Sequence, residues 1–229
     1  MTTISAYLQA VRARIAKAAR EAGRRPEEIA LVAVSKTVPP ERMREAAAAG
    51  QRAFGENYAQ EGIGKMAALA GLELEWHFIG PLQSNKTRPV AERFDWVHSI
   101  ERLKVAERLS AARGTDRPPL QVCVQVNVSG EASKGGVSPD DTATLARAVA
   151  ALPRLRLRGL MAIPEPTGDA ALARRRFATL RELREALNAE GLGLDTLSMG
   201  MSHDLEAAIL EGATIVRVGT AIFGERHYA

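Results

Sequence analysis

Residues 32–39 read VAVSKTVP. With Ala30 and Leu31 in front, the run makes an apolar strand over 30–35 that ends against Lys36. Lysine is among the residues least often fully buried, so its place at the end of such a run needs a reason. Two readings stay open. The ammonium leaves the core where the strand meets water, or an amine is held at the mouth of a site, able to form a Schiff base with a carbonyl. The chain then continues from Pro40 to Ala49 with helical signals, and Gly50 offers the left-handed position that follows many helices.

This unit of strand, polar residue and helix recurs. Further strands are expected at 52–55 (RAFG), 74–80 (LEWHFIG), 96–100 (WVHSI), 121–128 (QVCVQVNV), 157–163 (LRGLMAI), 196–200 (TLSMG) and 215–219 (IVRVG). Between them, 58–69, 101–112, 170–190 and 203–211 carry helical spacing. Ser138 followed by Pro139 reads as an N-cap with proline at the first helical position, ahead of Leu145, Val149 and Leu152. Pro89 interrupts the segment 86–93. Short apolar strands alternating with helices indicate a parallel sheet covered by helices. Eight of them indicate an α/β fold, a single (β/α)8 TIM-type barrel spanning 1–229, with a doubly wound open sheet as the alternative. Ile4, Leu8, Val11, Ile15 and Ala18 form an apolar stripe, so the Arg- and Ala-rich start is read as an extra N-terminal helix. That helix is expected to take the place of the helix that would follow the eighth strand.

Composition removes several function classes. The 31 Lys and Arg against 27 Asp and Glu leave +4, spread along the chain, and Arg174-Arg175-Arg176 sits among Glu182 and Glu185. A nucleic-acid surface needs a clustered basic face, so no nucleic-acid partner is expected. No run approaches the roughly 18 apolar residues of a membrane span. One cysteine, Cys123, excludes an internal disulfide, fits a reducing, cytoplasmic setting, and reads as a packed thiol within VCVQV. Gly62-Ile63-Gly64-Lys65-Met66-Ala67 fits a dinucleotide fingerprint by letters but lies inside a helical pattern. His77, His98, His203 and His227 lack metal-ligand spacing, and His203 reads as a first-turn helix residue.

In a barrel, chemistry gathers where the strands end. Those ends carry Lys36; Glu56 and Asn57; Gly80 to Lys86; Gly200-Met201-Ser202; and Arg217 with Gly219-Thr220. Ser202 stands at the head of SHDLEAAIL, either as an N-cap alone or as part of an anion site. Gly219 and Thr220 from the neighbouring strand favour the second reading, since phosphate sites after strands seven and eight recur in this fold. Arg217 lies between Val216 and Val218, and a buried guanidinium must be paired or hydrogen-bonded. Its partner is a carboxylate inside the barrel or the ring nitrogen of a cofactor. Lysine, phosphate site and arginine together are what pyridoxal 5′-phosphate requires.

AVSKT (33–37), FGENY (54–58), HFIGPLQSNK (77–86), RGLMAIP (158–164), GMSHDLEAAI (200–209) and VRVGTAIFG (216–224) resemble the motifs of the pyridoxal phosphate homeostasis proteins, relatives of the alanine racemase N-terminal barrel. The resemblance implies that Lys36 carries the cofactor as a Schiff base. It implies that Ser202, Gly219 and Thr220 hold the phosphate, that Arg217 faces the pyridine nitrogen, and that Asn57 and Met201 complete the binding set. It also implies a non-catalytic, monomeric carrier or buffer whose partners are the cofactor and the apo-enzymes receiving it. An amino-acid racemase is the alternative, and a cofactor-free Schiff-base aldolase a third reading. A racemase needs a second base opposite Lys36, which in alanine racemase comes from a further domain. Tyr58 is the tyrosine expected near the site, with an ordinary packing role.

Overall fold

The computed structural model describes residues 3–131 and 135–224. His227 therefore lies outside the described residues. The strands are β1 (Ala30–Val34), β2 (Ala53–Glu56), β3 (Glu75–Phe78), β4 (Trp96–Ile100), β5 (Leu120–Gln125), β6 (Leu155–Met161), β7 (Thr196–Ser198) and β8 (Ile215–Val218). They form a closed parallel barrel in chain order, and β8 pairs with β1 through Ala33↔Val218. That last pairing overturns the open-sheet alternative, because a doubly wound sheet leaves two free edges.

Strand alternation sorts side chains to the two faces of the barrel wall. Outward residues such as Phe54, Phe78, Val97, Leu160, Leu197, Val216 and Val218 join the main core under the helices. Val32, Trp96, Cys123, Met161 and Ile215, from different strands, form a separate cluster that fills the barrel interior. Cys123 is fully buried there, and burial pushes its thiol up to about 12, which leaves it inert at neutral pH.

The surrounding helices are α1 (Ile4–Glu21), α2 (Pro40–Ala48), α3 (Ala59–Ala68), α4 (Thr87–Arg93), α5 (Leu103–Ala112), α6 (Pro139–Ala150), α7 (Ala170–Ala189), α8 (Leu205–Leu210) and α9 (Thr220–Phe223). Helix α1 buries Ile4, Leu8, Val11, Ile15 and Ala18 and packs on α8, α9 and α2, so it does cover the wall beyond β8. Ser138 caps α6 by accepting the Asp141 N–H at 3.1 Å, and Gly50 takes φ +85° just past α2. Pro89 falls in the first turn of α4, where a backbone N–H would have no partner within the helix, so it does not break it. A 3-10 turn, Ser84–Lys86, leads into that helix.

One boundary is corrected. Helix α8 starts at Leu205, so Ser202 is not its N-cap and His203 is not in its first turn. Asp204 is the reason: its Oδ1 accepts the Met201 N–H at 2.6 Å and closes residues 201–204 into a turn before the helix begins.

Candidate functional site

The barrel order places β7, β8, β1 and β2 side by side, so their C-terminal ends form one arc. Lys36 sits two residues past β1 and is half-buried. Asn57, also half-buried, follows β2 directly. Gly80 fixes the backbone of Asn57: a Cβ at Gly80 would stand 2.4 Å from the Asn57 carbonyl oxygen. On the other side of Lys36, β8 leads into Gly219. A Cβ there would come within 3.3 Å of Val34 Cβ and O, so glycine lets the end of β8 close on the end of β1.

The two halves of the expected anion site do meet. The Thr220 hydroxyl donates to Ser202 Oγ at 3.1 Å. Thr220 also heads α9, where the first N–H groups lack partners within the helix. Arg14 of α1 braces this corner by donating to the Ser202 carbonyl at 2.9 Å and to Glu206 at 2.7 Å. The Met201 N–H is committed to Asp204. Helix α8 is short and starts late, so its dipole adds little at Ser202.

Arg217 points into the barrel and is 3% exposed. It donates to Ser198 Oγ at 2.5 Å and to the Ala162 carbonyl at 2.9 Å. Among the described residues no carboxylate lies within 4.0 Å of its nitrogens. Burial pushes it down to about 10, with Asp204 opposing, so it stays charged at neutral pH. An arginine has five donors, and the two bonds above leave capacity for a ligand.

A polar chain runs on below it, through two histidines that sequence spacing does not bring together. His98 Nδ1 is 2.7 Å from Ser198 Oγ, and His98 Nε2 is 2.9 Å from His77 Nδ1. His77 Nε2 faces Glu75 at 3.6 Å. Burial first, then the neighbouring His77 and the charge of Arg217, hold His98 well below the usual imidazole range, so it is neutral. Ser198 accepts from Arg217 and can pass its own proton toward His98 Nδ1. His98 then donates from Nε2 to His77 Nδ1, and His77 directs its Nε2–H at Glu75. The opposite arrangement would aim a nitrogen lone pair at a carboxylate.

Glu56 ends β2 but does not join the site. It is fully buried on the outer side of the wall, where Ser35 Oγ donates to Oε1 at 2.6 Å and Lys65 Nζ at 2.9 Å. Tyr58 is 60% exposed beside Asn57 and lines a shallow groove with Pro81 and Lys86.

Residues 7–227 match the family described as alanine racemase, N-terminal domain. The pyridoxal phosphate homeostasis protein of Pseudomonas aeruginosa is 64% identical over 100% of this chain and 98% of its own length. Its namesake from Escherichia coli (strain K12) is 53% identical over 100% of this chain and 99% of its own. The chain belongs to the pyridoxal phosphate homeostasis protein family.

PipY of Synechococcus elongatus, solved with pyridoxal phosphate bound, superposes with a TM-score of 0.84 at 38% identity, over 97% of this chain and 100% of that one. Alanine racemase from Corynebacterium glutamicum shares the fold, with a TM-score of 0.69 at 19% identity, over 97% of this chain and 62% of that one. Within the described residues, no helix of this family member is long and apolar enough to cross a membrane.

Proposed function

We propose that this chain binds pyridoxal 5′-phosphate and carries or buffers it in the cytoplasm as a monomer, for transfer to apo-enzymes, without a reaction of its own. The observation that carries the reading is the arc of neighbouring strand ends. Along it lie Lys36, the Ser202–Thr220 hydroxyl pair and a buried Arg217 that has no carboxylate partner among the described residues. The donor set fits the group: a primary amine for the aldehyde, hydroxyls and loop amides for the phosphate, and a guanidinium for an uncharged ring nitrogen. Lys36 would hold the group through its amine, the aldehyde supplying a carbon with which a primary amine can condense, water being lost. Asn57 follows β2, the strand paired with β1, and in this reading it and Met201 complete the binding set.

Family membership and the cofactor-bound relative support this reading. The likeness to alanine racemase is one of fold, and Tyr58, the tyrosine nearest Asn57 in sequence, faces solvent rather than being held as a base. The test is borohydride reduction of the purified protein followed by peptide mapping, which should fix the reduced cofactor on Lys36. Protein that carries no cofactor and binds none when it is added overturns the reading.

A further inference from the structure

Both peptide groups that flank Lys36 are gripped from behind the barrel wall by one buried charge cluster. Lys65 of α3 is 6% exposed, and its ammonium donates to the Ser35 carbonyl at 2.6 Å, to Glu56 Oε1 at 2.9 Å and to Glu61 Oε1 at 2.5 Å. An ammonium has three donors, and all are used. The same Glu61 oxygen accepts the Thr37 N–H at 2.6 Å. The carbonyl before Lys36 is therefore tied to Lys65, and the amide after it to Glu61. Rotation about the two backbone bonds of Lys36 moves one or other of these peptide planes, so the direction of its side chain is set by the pair.

The grip holds a conformation the chain would not choose unaided. Val38 N–H closes a four-residue turn onto the Ser35 carbonyl at 2.9 Å. Thr37 occupies its third position with φ +65°. A β-branched residue in the left-handed region is a genuine outlier, and glycine or asparagine is usual at that place in a turn. Thr37 meets part of the cost by donating its hydroxyl to the Lys36 carbonyl at 2.6 Å. Strain of this kind persists only where surrounding contacts over-determine the backbone, and here those contacts are Lys65 and Glu61.

We infer that Lys65 and Glu61 are positioning residues for Lys36: through the turn Ser35–Val38 they aim its amine into the mouth of the barrel. The inference rests on Lys36 being the attachment point. Neither residue touches the ligand; both lie on the helix side of the wall and act through the lysine.

The test compares Lys65→Met and Glu61→Ala with the parent, each with Lys36 present and in a Lys36→Ala background, using added pyridoxal 5′-phosphate. With Lys36 present, each substitution should slow formation of the Schiff-base absorbance and weaken binding about tenfold, within the range of coupling energies between residues in contact. In the Lys36→Ala background the same substitutions should leave affinity within about twofold, since the lysine they aim is gone. Thr37→Gly, which removes the left-handed penalty, should restore most of the loss in Glu61→Ala. Without ligand, amide exchange at Thr37 should accelerate in Glu61→Ala while amides within β1 keep their protection. Glu61 is partly exposed on a helix, where alanine is well tolerated, so that variant keeps the test open if Lys65→Met does not fold. Equal loss of affinity in both backgrounds would overturn the inference, leaving the cluster a stabiliser only. A Lys36→Ala protein with the parent's spectrum would instead overturn the attachment point itself.

Discussion

Arg217 is held by Ser198 across 2.5 Å in the barrel interior, and among the described residues that buried guanidinium bonds to this hydroxyl and the Ala162 carbonyl, not to a carboxylate. A charge taken out of water without an opposite charge costs stability, and two neutral acceptors offset only part of that cost. The arrangement makes sense where the charge is kept for a ligand that arrives later.

Replacing Arg217 by methionine should therefore separate stability from binding. The ligand-free variant is expected to melt no lower than the parent, and each kcal/mol of relieved desolvation would raise the midpoint by about 2–4 °C in a chain of this size. Cofactor affinity should fall by roughly 1.5–3 kcal/mol, the worth of a hydrogen bond to a charged group. Because guanidinium only donates, the ring nitrogen of bound cofactor should be unprotonated, with Arg217→Glu reversing that preference. Nitrogen chemical shifts showing a protonated ring in the parent would refute it.

His98 gives the fold an acid-sensitive limb. Its folded pKa is lowered, chiefly by burial, so the native state binds fewer protons than the unfolded chain below the ordinary imidazole value. Its contribution is intact above pH ~6.5 and is lost as the pH falls from there toward the folded value, by up to about 1.4 kcal/mol per pH unit. Denaturant unfolding of parent and His98→Gln at several pH values checks this. The limb between about pH 6.5 and 5 should flatten in the variant, and parallel curves would show that His98 is not its source.

Gly80→Ala is expected to harm the site more than the barrel. The added Cβ would meet backbone atoms of Asn57 at 2.4 and 2.6 Å, so the strand-two end has to move. Overpacking of this kind costs about 1–3 kcal/mol. The measurement is cofactor affinity beside the unfolding free energy. A variant that loses stability but binds as tightly as the parent would show that Asn57 does not contribute to holding the ligand.

The fold was legible because parallel strands buried on both sides leave near-continuous apolar runs, and each was broken at its end by a polar residue that stood out. Lys36 and Arg217 were conspicuous for the same reason, being charges within or against apolar strands. The late start of α8 was hidden: a serine ahead of a helical run imitates a cap, and nothing local shows that Asp204 captures the Met201 N–H first. The contact between His77 and His98 depends on how far neighbouring strands are staggered around the barrel, which spacing along the chain does not encode. In the sequence Lys65 is one more residue of a helical pattern, and its burial against β1 appears only once α3 is packed on the wall.

The two ends of the proposed site should be separable by ligand choice. If the Ser202–Thr220 pair and the amides at the start of α9 hold the phosphate, Lys36 is not the sole source of affinity. Several hydrogen bonds to a charged group, each worth roughly 1.5–3 kcal/mol, remain once the lysine is removed. Lys36→Ala should then still bind pyridoxal 5′-phosphate, more weakly, with the spectrum of the free aldehyde or its hydrate. Pyridoxal without the phosphate should bind poorly even to the parent, because one covalent bond must then oppose the whole loss of ligand freedom. Thr220→Val, which deletes the hydroxyl that donates to Ser202, should weaken the phosphate ester and leave pyridoxal unchanged. A carrier gains from such a division, since a competing amine can release the ligand from Lys36 while the phosphate is still held. Titration of the three proteins with both ligands decides it: pyridoxal binding the parent as tightly as its phosphate ester would show that the anion site is not there.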